Sequence, residues 1–443
     1  MNYGRLWFWS ITVALGGFLF GFDTAVISGA EQTIQKIWDL SSWEHGFTVS
    51  IALIGTVFGA LFGGIPSDRL GRKKTLFWIA AFYLVSAVGS ALATDWYVFL
   101  LFRFLGGLGV GASSVAAPMY ISEIAPPESR GKLVALFQFN IVFGILIAYL
   151  SNYLIEGSGA NDWRWMLGVE AFPALVFLIT ILFVPESPRW LILKRNDVEQ
   201  ARSVLAMIDP ERADQEVQDI KSTSLEADVS TEKLFSSRYR KPVTLAILFA
   251  VFNQFSGINA IIYYAPRILE MTGLGTQTAL LSTAGIGIVN FLATLIALSV
   301  IDRMGRQKLM LIGSFGLILT LGLVARAFLV QSFGIWVPIY LFVYIAFFAF
   351  SQGAVIWVFI SEIFPNRVRA SGQALGSFTH WLMAAVIAFI FPVIAEGLGG
   401  GPTFAIFSGM MVLQLLFVWK MMPETKGQSL EELERNMTYE KVS

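Results

Sequence analysis

Long stretches of apolar residues dominate the chain, in place of the alternation that marks surface helices and strands. Twelve stretches are long enough to cross a bilayer as a helix, which takes about 20 mostly apolar residues. They lie roughly at residues 7–29, 46–65, 75–93, 97–121, 133–155, 166–184, 242–266, 277–301, 308–330, 337–361, 371–395 and 402–420. The pattern predicts an all-α integral membrane protein, whose spanning segments are called helix 1 to helix 12 in chain order.

The composition supports a membrane protein. Of 443 residues, 56% are hydrophobic and only 14% are charged, where a soluble protein has about 25% charged residues. The absence of Cys excludes metal centres built on thiolates. A balance of 31 basic and 31 acidic residues argues against a basic face for nucleic acid. We expect no cofactor, no metal and no nucleic-acid partner, with the lipid bilayer around a chain that acts as a monomer.

Lys and Arg are distributed unevenly between the two sets of connections. If the N-terminus is cytoplasmic, the inner segments hold 26 of them and the outer segments four, while Arg103 lies inside helix 4. Cytoplasmic connections of membrane proteins carry this excess of positive charge. The sequence therefore predicts that both termini are cytoplasmic and that the protein resides in the plasma (inner) membrane.

One segment differs from the rest in composition. Residues 194–241 carry 19 of the 62 charges, and apolar residues recur at helical spacing from Val198 to Ile208. We predict short amphipathic helices here, on the cytoplasmic face. The expected organisation is a six-helix bundle in 1–193, these helices in 194–241, a second bundle in 242–422 and a tail in 423–443.

The two predicted bundles repeat each other. Residues 68–74 (DRLGRKK) recur as 302–308 (DRMGRQK), 121–126 (ISEIAP) as 360–365 (ISEIFP), and 185–187 (PES) as 423–425 (PET). The offsets are 234, 239 and 238 residues, so three motifs recur in one order at nearly one spacing. The pattern indicates duplication of six helices. Parallel six-helix halves with a substrate site between them are typical of one large class of secondary transporters.

The repeated motifs place acids and bases on the cytoplasmic connections. We predict that they form a cytoplasmic gate, in which ion pairs between the halves hold the inner side shut and break on opening. The alternative is solvated surface charge that follows the positive-inside rule. The candidate gate residues are Asp68, Arg69, Arg72, Glu123, Arg130, Glu186, Arg189, Asp302, Arg303, Arg306, Glu362 and Arg369.

Polar side chains at mid-membrane depth are costly and therefore require a partner or a function. An amide offers both donors and acceptors, which suits a neutral ligand covered with hydroxyl groups, while flat aromatic rings suit the apolar faces of a sugar. The candidates are Phe20, Gln138, Asn253, Gln254, Asn259, Tyr263, Asn290, Trp357 and Trp381. The alternative for the amides is hydrogen bonding between helices, which we favour for Asn140, Gln352 and Gln414.

Asp23 and Arg103 are the acid and base well inside the apolar spans of the N-terminal half, apart from Glu170 near a helix end. Each lies about six residues, or about 9 Å, from the predicted outer end of its helix. They share a depth and are therefore predicted to pair. A conformational change that parts them would favour protonation of Asp23, which would link a proton to transport. An ion pair for stability alone is the alternative.

Five motifs resemble the sugar-porter family of the major facilitator superfamily. They are 64–73 (GIPSDRLGRK), 103–107 (RFLGG) running to 118–123 (PMYISE), 185–191 (PESPRWL), 254–259 (QFSGIN) and 423–427 (PETKG). That family includes proton-linked xylose, galactose and glucose carriers of bacteria and facilitative glucose transporters of animals. The resemblance covers the whole chain, and the PESPRWL and QFSGIN runs are its more specific parts.

The resemblance implies import of a monosaccharide with a proton by alternating access. It also implies a sugar site lined by most of the amides and aromatics above, with Asp23 as the proton site. Two positions depart from the family pattern: Asn253 stands where a Gln is usual, and His380 occupies a variable polar position that could contact sugar. The rival functions are an uncoupled facilitator and a membrane sugar sensor. An enzyme is not expected, because His45 lies at an outer loop end and His380 stands alone.

Overall fold

The computed structural model describes residues 3–126, 129–226, 233–365, 367–427 and 433. Throughout these residues the regular structure is helical, without strands. Twelve of the described helical segments are long and apolar enough to cross a membrane. The predicted fold class of twelve transmembrane helices is confirmed, and the protein is a multi-pass membrane protein.

Nine of the spanning segments are continuous helices. They are helix 1 (Tyr3–Ile37), helix 2 (Ser42–Phe62), helix 3 (Arg72–Leu92), helix 4 (Trp96–Ile124), helix 5 (Arg130–Ile155), helix 8 (Thr276–Met304), helix 9 (Arg306–Leu329), helix 11 (Arg369–Leu398) and helix 12 (Gly400–Lys420). Helix 1 extends well past its predicted end at residue 29. Asp23 is therefore 14 residues, about 21 Å, from the end of helix 1, and the predicted 9 Å was wrong.

Three spanning segments are interrupted. Helix 6 consists of Asp162–Gly168 and Ala171–Thr180 with a 3₁₀ turn at Ile181–Phe183, and helix 7 consists of Arg240–Phe255 and Ile258–Glu270. Helix 10 runs over Trp336–Phe348 and Ala354–Ile363, with a π-helical turn at Ala349–Gly353 between them. Breaks of this kind free backbone groups inside a membrane and often lie at functional sites.

Shorter helices connect the spans. One is Gly64–Leu70, and three others, Pro188–Arg195, Val198–Ile208 and Ala213–Glu226, follow helix 6. The prediction of short helices in 194–241 is confirmed for the described residues, and the Asp197 carboxylate caps the middle helix by accepting from the backbone N–H of Gln200. Residues 227–232 and most of the predicted tail lie outside the part of the chain that the structure describes.

Contacts divide the chain into two units. The first comprises Met1–Val26, Ile51–Ser151 and Gly157–Ser230, and the second comprises Ile27–Ser50, Asn152–Glu156 and Thr231–Ser443. The boundary thus cuts helices 1, 2 and 5, so that residues 27–37, 42–50 and 152–155 of these helices belong to the second unit. The sequence repeat predicted a boundary between helices 6 and 7 only.

Glycine allows close helix packing in the first unit. A Cβ atom at Gly107 of helix 4 would collide with the backbone carbonyl of Ala52 on helix 2, and one at Gly111 would collide with that of Thr56. Gly21 of helix 1 meets the carbonyl of Ile141 on helix 5 in the same way. Small residues that let backbones approach are a usual device of membrane helices.

The break in helix 7 belongs to the second unit. Gly257 has φ of +81°, a left-handed conformation that favours glycine. The neighbouring Ser256 is tied on both sides: its hydroxyl donates to the Asn253 carbonyl at 2.6 Å, and its carbonyl accepts from the Tyr344 hydroxyl at 2.8 Å. The break is therefore held in place, and it lies directly after the candidate amides Asn253 and Gln254.

Substitution of Gly107 by Ala should lower the apparent melting temperature of the purified protein in detergent. Added volume in a tight contact costs typically about 1–3 kcal/mol. The matched control is Gly409→Ala on helix 12, where the added methyl group has nothing within 4 Å. The control should be neutral or slightly stabilising, because Ala favours helix over Gly. Equal melting temperatures for the two variants would contradict the packing argument.

Candidate functional site

Asp23 and Arg103 form an ion pair inside the first unit. The Arg103 Nη1 atom lies 2.6 Å from the Asp23 Oδ1 atom, and its Nη2 atom donates to the Asp23 backbone carbonyl at 3.2 Å. Both side chains are 2% exposed. The predicted pairing is confirmed. Because removing one partner leaves a buried charge uncompensated, each residue depends on the other.

A second acid lies beside this pair. Glu170, between the two parts of helix 6, is 2% exposed and close enough to interact with both Asp23 and Arg103. Its Oε1 atom has no hydrogen-bond partner in the structure. Two carboxylates beside one guanidinium carry an excess negative charge unless one holds a proton. Glu170 was not predicted as a site residue because it lies near a predicted helix end, and its burial is visible only in the structure.

In the second unit, three of the predicted amides form one hydrogen-bonded group around Gln254. Asn259 Nδ2 donates to Gln254 Oε1 at 2.5 Å, and Gln254 Nε2 donates to Asn253 Oδ1 at 3.0 Å. All three are buried, and the Nδ2 atom of Asn253 has no partner. A buried amide donor left unpaired in this way is available to a ligand or a water.

His380 joins this group through its ring. Gln254 Nε2 lies 3.2 Å from His380 Nδ1 and 3.3 Å from Nε2. The His380 ring centre is 4.8 Å from the rings of both Trp357 and Trp381, edge-on to the latter. The expectation that His380 stands alone was wrong. The group presents amides beside two indole rings, and Trp357 is 37% exposed.

The remaining sugar-site candidates are more dispersed. Tyr263 is buried in the outer part of helix 7, and Asn290 is 8% exposed on helix 8, where none of the described hydrogen bonds involves its side chain. Phe20 and Gln138 belong to the first unit, where Phe20 is buried and Gln138 is half-buried. Gln414, which was assigned to helix contact, does donate to Ser314 at 2.7 Å.

The repeated motifs build an ion-pair cluster in the first unit. The Arg72 guanidinium binds Glu123 through both Nε at 3.0 Å and Nη2 at 2.9 Å, and it reaches Asp68 at 3.0 Å. Glu186 accepts from the backbone N–H groups of Arg72 and Lys73. Burial raises the pKa of Glu186, while the backbone N–H groups of Ser187, Lys73 and Arg72 oppose the shift. The cluster ties the turn before helix 3 to the ends of helices 4 and 6.

The second unit contains the same cluster. Arg306 binds Glu362 at 3.2 and 2.8 Å and Asp302 at 3.0 Å, and its backbone N–H donates to Glu424 at 2.9 Å. Gly71 and Gly305 have φ of +98° and +89°. A Cβ atom at Gly71 would collide with the Glu186 carboxylate, and one at Gly305 would collide with the Glu424 carboxylate. The sequence repeat is therefore also a repeat of contacts.

The structure revises how the candidate gate residues pair. Those described contacts join residues of one half only, so the expectation of pairs between the halves finds no support in them. Arg130 and Arg369 donate to the backbone carbonyls of Ala125 and Phe364 and leave the acids to Arg72 and Arg306. The side chains of Arg69, Arg189 and Arg303 are exposed, with no part in the described hydrogen bonds or ion pairs.

Three cluster members were missed from the sequence. The hydroxyl of Ser187 donates to Glu123, that of Thr425 donates to Glu362 at 2.6 Å, and Glu424 takes the place that Glu186 has in the first cluster. The signal was present, because PES and PET recur at the common offset. Glu186 was predicted from the first copy of that repeat, whereas its equivalent Glu424 in the second copy was not.

These features define a helical membrane transporter with duplicated halves, and comparison with known proteins supports that class. The family profile described as "Sugar (and other) transporter" matches residues 9–437. The D-xylose-proton symporter of Escherichia coli K12 is 38% identical over 474 residues, covering 98% of this chain and 96% of the relative. The arabinose-proton symporter of Bacillus subtilis is 38% identical, covering 96% and 94%.

A solved structure gives the same result. The inward-open conformation of the xylose transporter XylE from E. coli matches with a TM-score of 0.87 at 37% identity, covering 96% of this chain and 98% of that one. The chain belongs to the sugar (and other) transporter family, as the motifs predicted. Its relatives are transporters and not enzymes.

The cluster around Arg72 leads to a test of stability. Arg72→Gln should lower the apparent melting temperature strongly, because breaking a buried ion pair from one side typically costs about 3–5 kcal/mol. The matched control is Arg202→Gln, which removes an ion pair to Asp214 whose side chains are 62% and 72% exposed. Exposed pairs contribute only about 0–1 kcal/mol. If both variants melt together, the Arg72–Glu123 pair is not a structural clamp.

Proposed function

We propose that the protein imports a monosaccharide together with a proton, by alternating access across the plasma membrane, with both termini cytoplasmic. The observation that carries the proposal is the buried Asp23–Arg103 pair in a chain of this family. The relatives named above are symporters of D-xylose and of arabinose with protons. The proposal extends that activity class to this chain and commits to no single pentose or hexose.

The proton site in this proposal is Asp23, with Arg103 as its counter-charge. When the two are paired, the guanidinium stabilises the carboxylate. A movement of helix 1 relative to helix 4 would remove that stabilisation, and the buried carboxylate would then take up a proton. Glu170 belongs to the same buried group, because its carboxylate also lies close to Asp23 and Arg103.

The sugar is proposed to bind to the amides and aromatic residues that the sequence predicted for the site. Gln254 is the central residue, because it already holds Asn253, Asn259 and His380 in one group. The unpartnered Nδ2 atom of Asn253 is a donor for a sugar hydroxyl. Trp357 and Trp381 offer flat surfaces for the ring, and Phe20, Gln138, Tyr263 and Asn290 complete the proposed set.

The cytoplasmic clusters are proposed to stiffen the inner ends of the helices, so that the half-bundles move as blocks when the inner side opens. Each cluster joins several helix ends through one arginine, which suits rigid-body movement. The full set of gate residues predicted from the sequence remains part of this proposal. A facilitator without proton coupling is the second candidate, and the acid at position 23 is the observation against it.

The first test concerns sugar binding. Gln254→Ala or Asn290→Ala should each weaken binding by about 1–3 kcal/mol, or about 5- to 150-fold, because sugar hydroxyls lose partners in a desolvated site. Titration calorimetry measures this with whichever of D-xylose, L-arabinose, D-glucose or D-galactose binds the parent protein. Gln414→Ala is the matched control, a buried amide engaged with Ser314. Parent-like affinity in both site variants would remove these amides from the sugar site.

The second test concerns the proton. Asp23→Asn should abolish sugar accumulation driven by an imposed pH gradient in proteoliposomes, while sugar binding and sugar–sugar exchange persist. The reason is that the amide keeps the size of the side chain but cannot carry the proton.

The matched control for this test is Glu396→Gln, an exposed acid near the end of helix 11, which should accumulate sugar like the parent. Accumulation by Asp23→Asn with acid outside would show that coupling does not use Asp23. Exchange without accumulation in the parent protein itself would favour the facilitator.

A further inference from the structure

A second buried charge cluster lies far from Asp23, in the second unit. Glu31, eight residues or about 12 Å further along helix 1, is fully buried. Arg267 binds it with two parallel contacts, Nε to Oε1 at 2.9 Å and Nη2 to Oε2 at 2.7 Å. The Nε2 atom of His45, at the start of helix 2, lies 2.6 Å from the same Oε2 atom. The expectation of His45 at a loop end was wrong, because it is a buried residue of helix 2.

Further contacts extend the cluster along both helices. Arg267 Nη2 donates to Gln35 Oε1 at 2.6 Å, and Gln32 Nε2 donates to Glu270 Oε2 at 3.0 Å. Gln32 and Gln35 lie in the last two turns of helix 1, and Arg267 and Glu270 lie in the last turn of helix 7. Three helix ends are therefore joined by side-chain contacts, with Glu31 at the centre.

The helix 7 part of the cluster is continuous with the proposed sugar site. The segment Ile258–Glu270 starts after the left-handed Gly257, contains Asn259 and Tyr263, and ends at the cluster. Its helix is interrupted again at Tyr264, whose backbone is non-helical with φ of −124° and ψ of +16°. Helix 7 is therefore broken twice between Gln254 and the cluster, at Gly257 and at Tyr264, so its last part is separated from the rest of the helix by two irregular positions.

The burial of Glu31 makes the cluster a two-state device. A carboxylate that is fully buried costs several kcal/mol unless it stays paired, so partial separation is unfavourable. The bidentate contact with Arg267 is geometrically specific, and the His45 Nδ1 atom has no partner. Separation of the cluster would therefore have to expose Glu31, Arg267 and His45 to water together.

We propose that Glu31, His45 and Arg267 form an outer latch that fastens the end of helix 7 to helices 1 and 2, and that must open for a substrate to reach Gln254 from outside. The latch rests on the proposed function for the identity of the substrate and for the side of the membrane that this end of helix 7 faces. The three residues lie outside the repeated motifs, and the sequence did not predict that they contact one another.

The first arm of the test needs no sugar. Because the chain has no native Cys, a thiol reagent labels only the cysteine that is introduced. A reporter cysteine replaces Ile262, which is 9% exposed between the latch and the helix break. A membrane-impermeant maleimide is added outside sealed vesicles. Arg267→Gln and Glu31→Gln should each raise the labelling rate by about tenfold or more, while Arg326→Gln, an exposed outer arginine of helix 9, should not. Unchanged labelling in both latch variants overturns the proposal.

The second arm locks the latch by a reversible link. In Gln32→Cys/Glu270→Cys, a short bifunctional methanethiosulfonate reagent should stop transport of a sugar from the panel, and dithiothreitol should restore it. Arg202→Cys/Asp214→Cys is the control pair, and its linked form should transport normally. Full transport by the linked latch pair overturns the proposal. If the parent protein transports no sugar of the panel, the proposed function fails, while the labelling arm still decides the latch.

Discussion

Charged side chains inside an apolar helix bundle have to be paired, and this constraint fixes much of the structure. The cost of removing a carboxylate or a guanidinium from water is several kcal/mol, so a single buried charge would oppose folding. Asp23 meets Arg103, and Glu31 meets Arg267, each at less than 3 Å. Both pairs join residues distant in the sequence, by 80 and 236 positions. Each pair therefore selects which helices lie together, a choice that apolar surfaces alone do not make.

The same constraint separates strong pairs from weak ones in the clusters around Arg72 and Arg306. Arg72 is nearly buried and so is Glu123, whereas Asp68 and Asp302 are 53% and 82% exposed. Arg72 therefore contacts one buried acid, Glu123, and one solvent-exposed acid, Asp68. Only the buried contact resists separation. The two halves share three features: the contact of the arginine with Glu123 or Glu362, the carboxylate that accepts from backbone N–H groups, and the left-handed glycine.

The sequence was sufficient for features with a local or periodic origin. Hydrophobic length predicted all twelve spans, and the repeat predicted equivalent motifs in the two halves. The Asp23–Arg103 pair was also predicted, although Asp23 lies further from the end of helix 1 than that prediction assumed. It failed where a choice among partners depends on three-dimensional packing. Arg130 lies closer to Glu123 in the sequence than Arg72 does. Glu123 nevertheless pairs with Arg72, and Arg130 donates to the Ala125 backbone carbonyl. His45 and Arg267 were assigned to outer connections, since nothing in the local pattern shows that helices 1 and 7 bring Glu31 between them.

The position along the chain of the ion-pair cluster around Arg72 has a consequence for biosynthesis. All of its members lie between Asp68 and Ser187, so the cluster can close before helix 7 has been made. Domains commonly fold in this order during synthesis. Glu31 differs, because its partner Arg267 emerges only after six further helices. During synthesis the ion-pair cluster around Arg72 can therefore form early and hold the first six helices together. The Glu31 carboxylate stays without its arginine partner until helix 7 is complete.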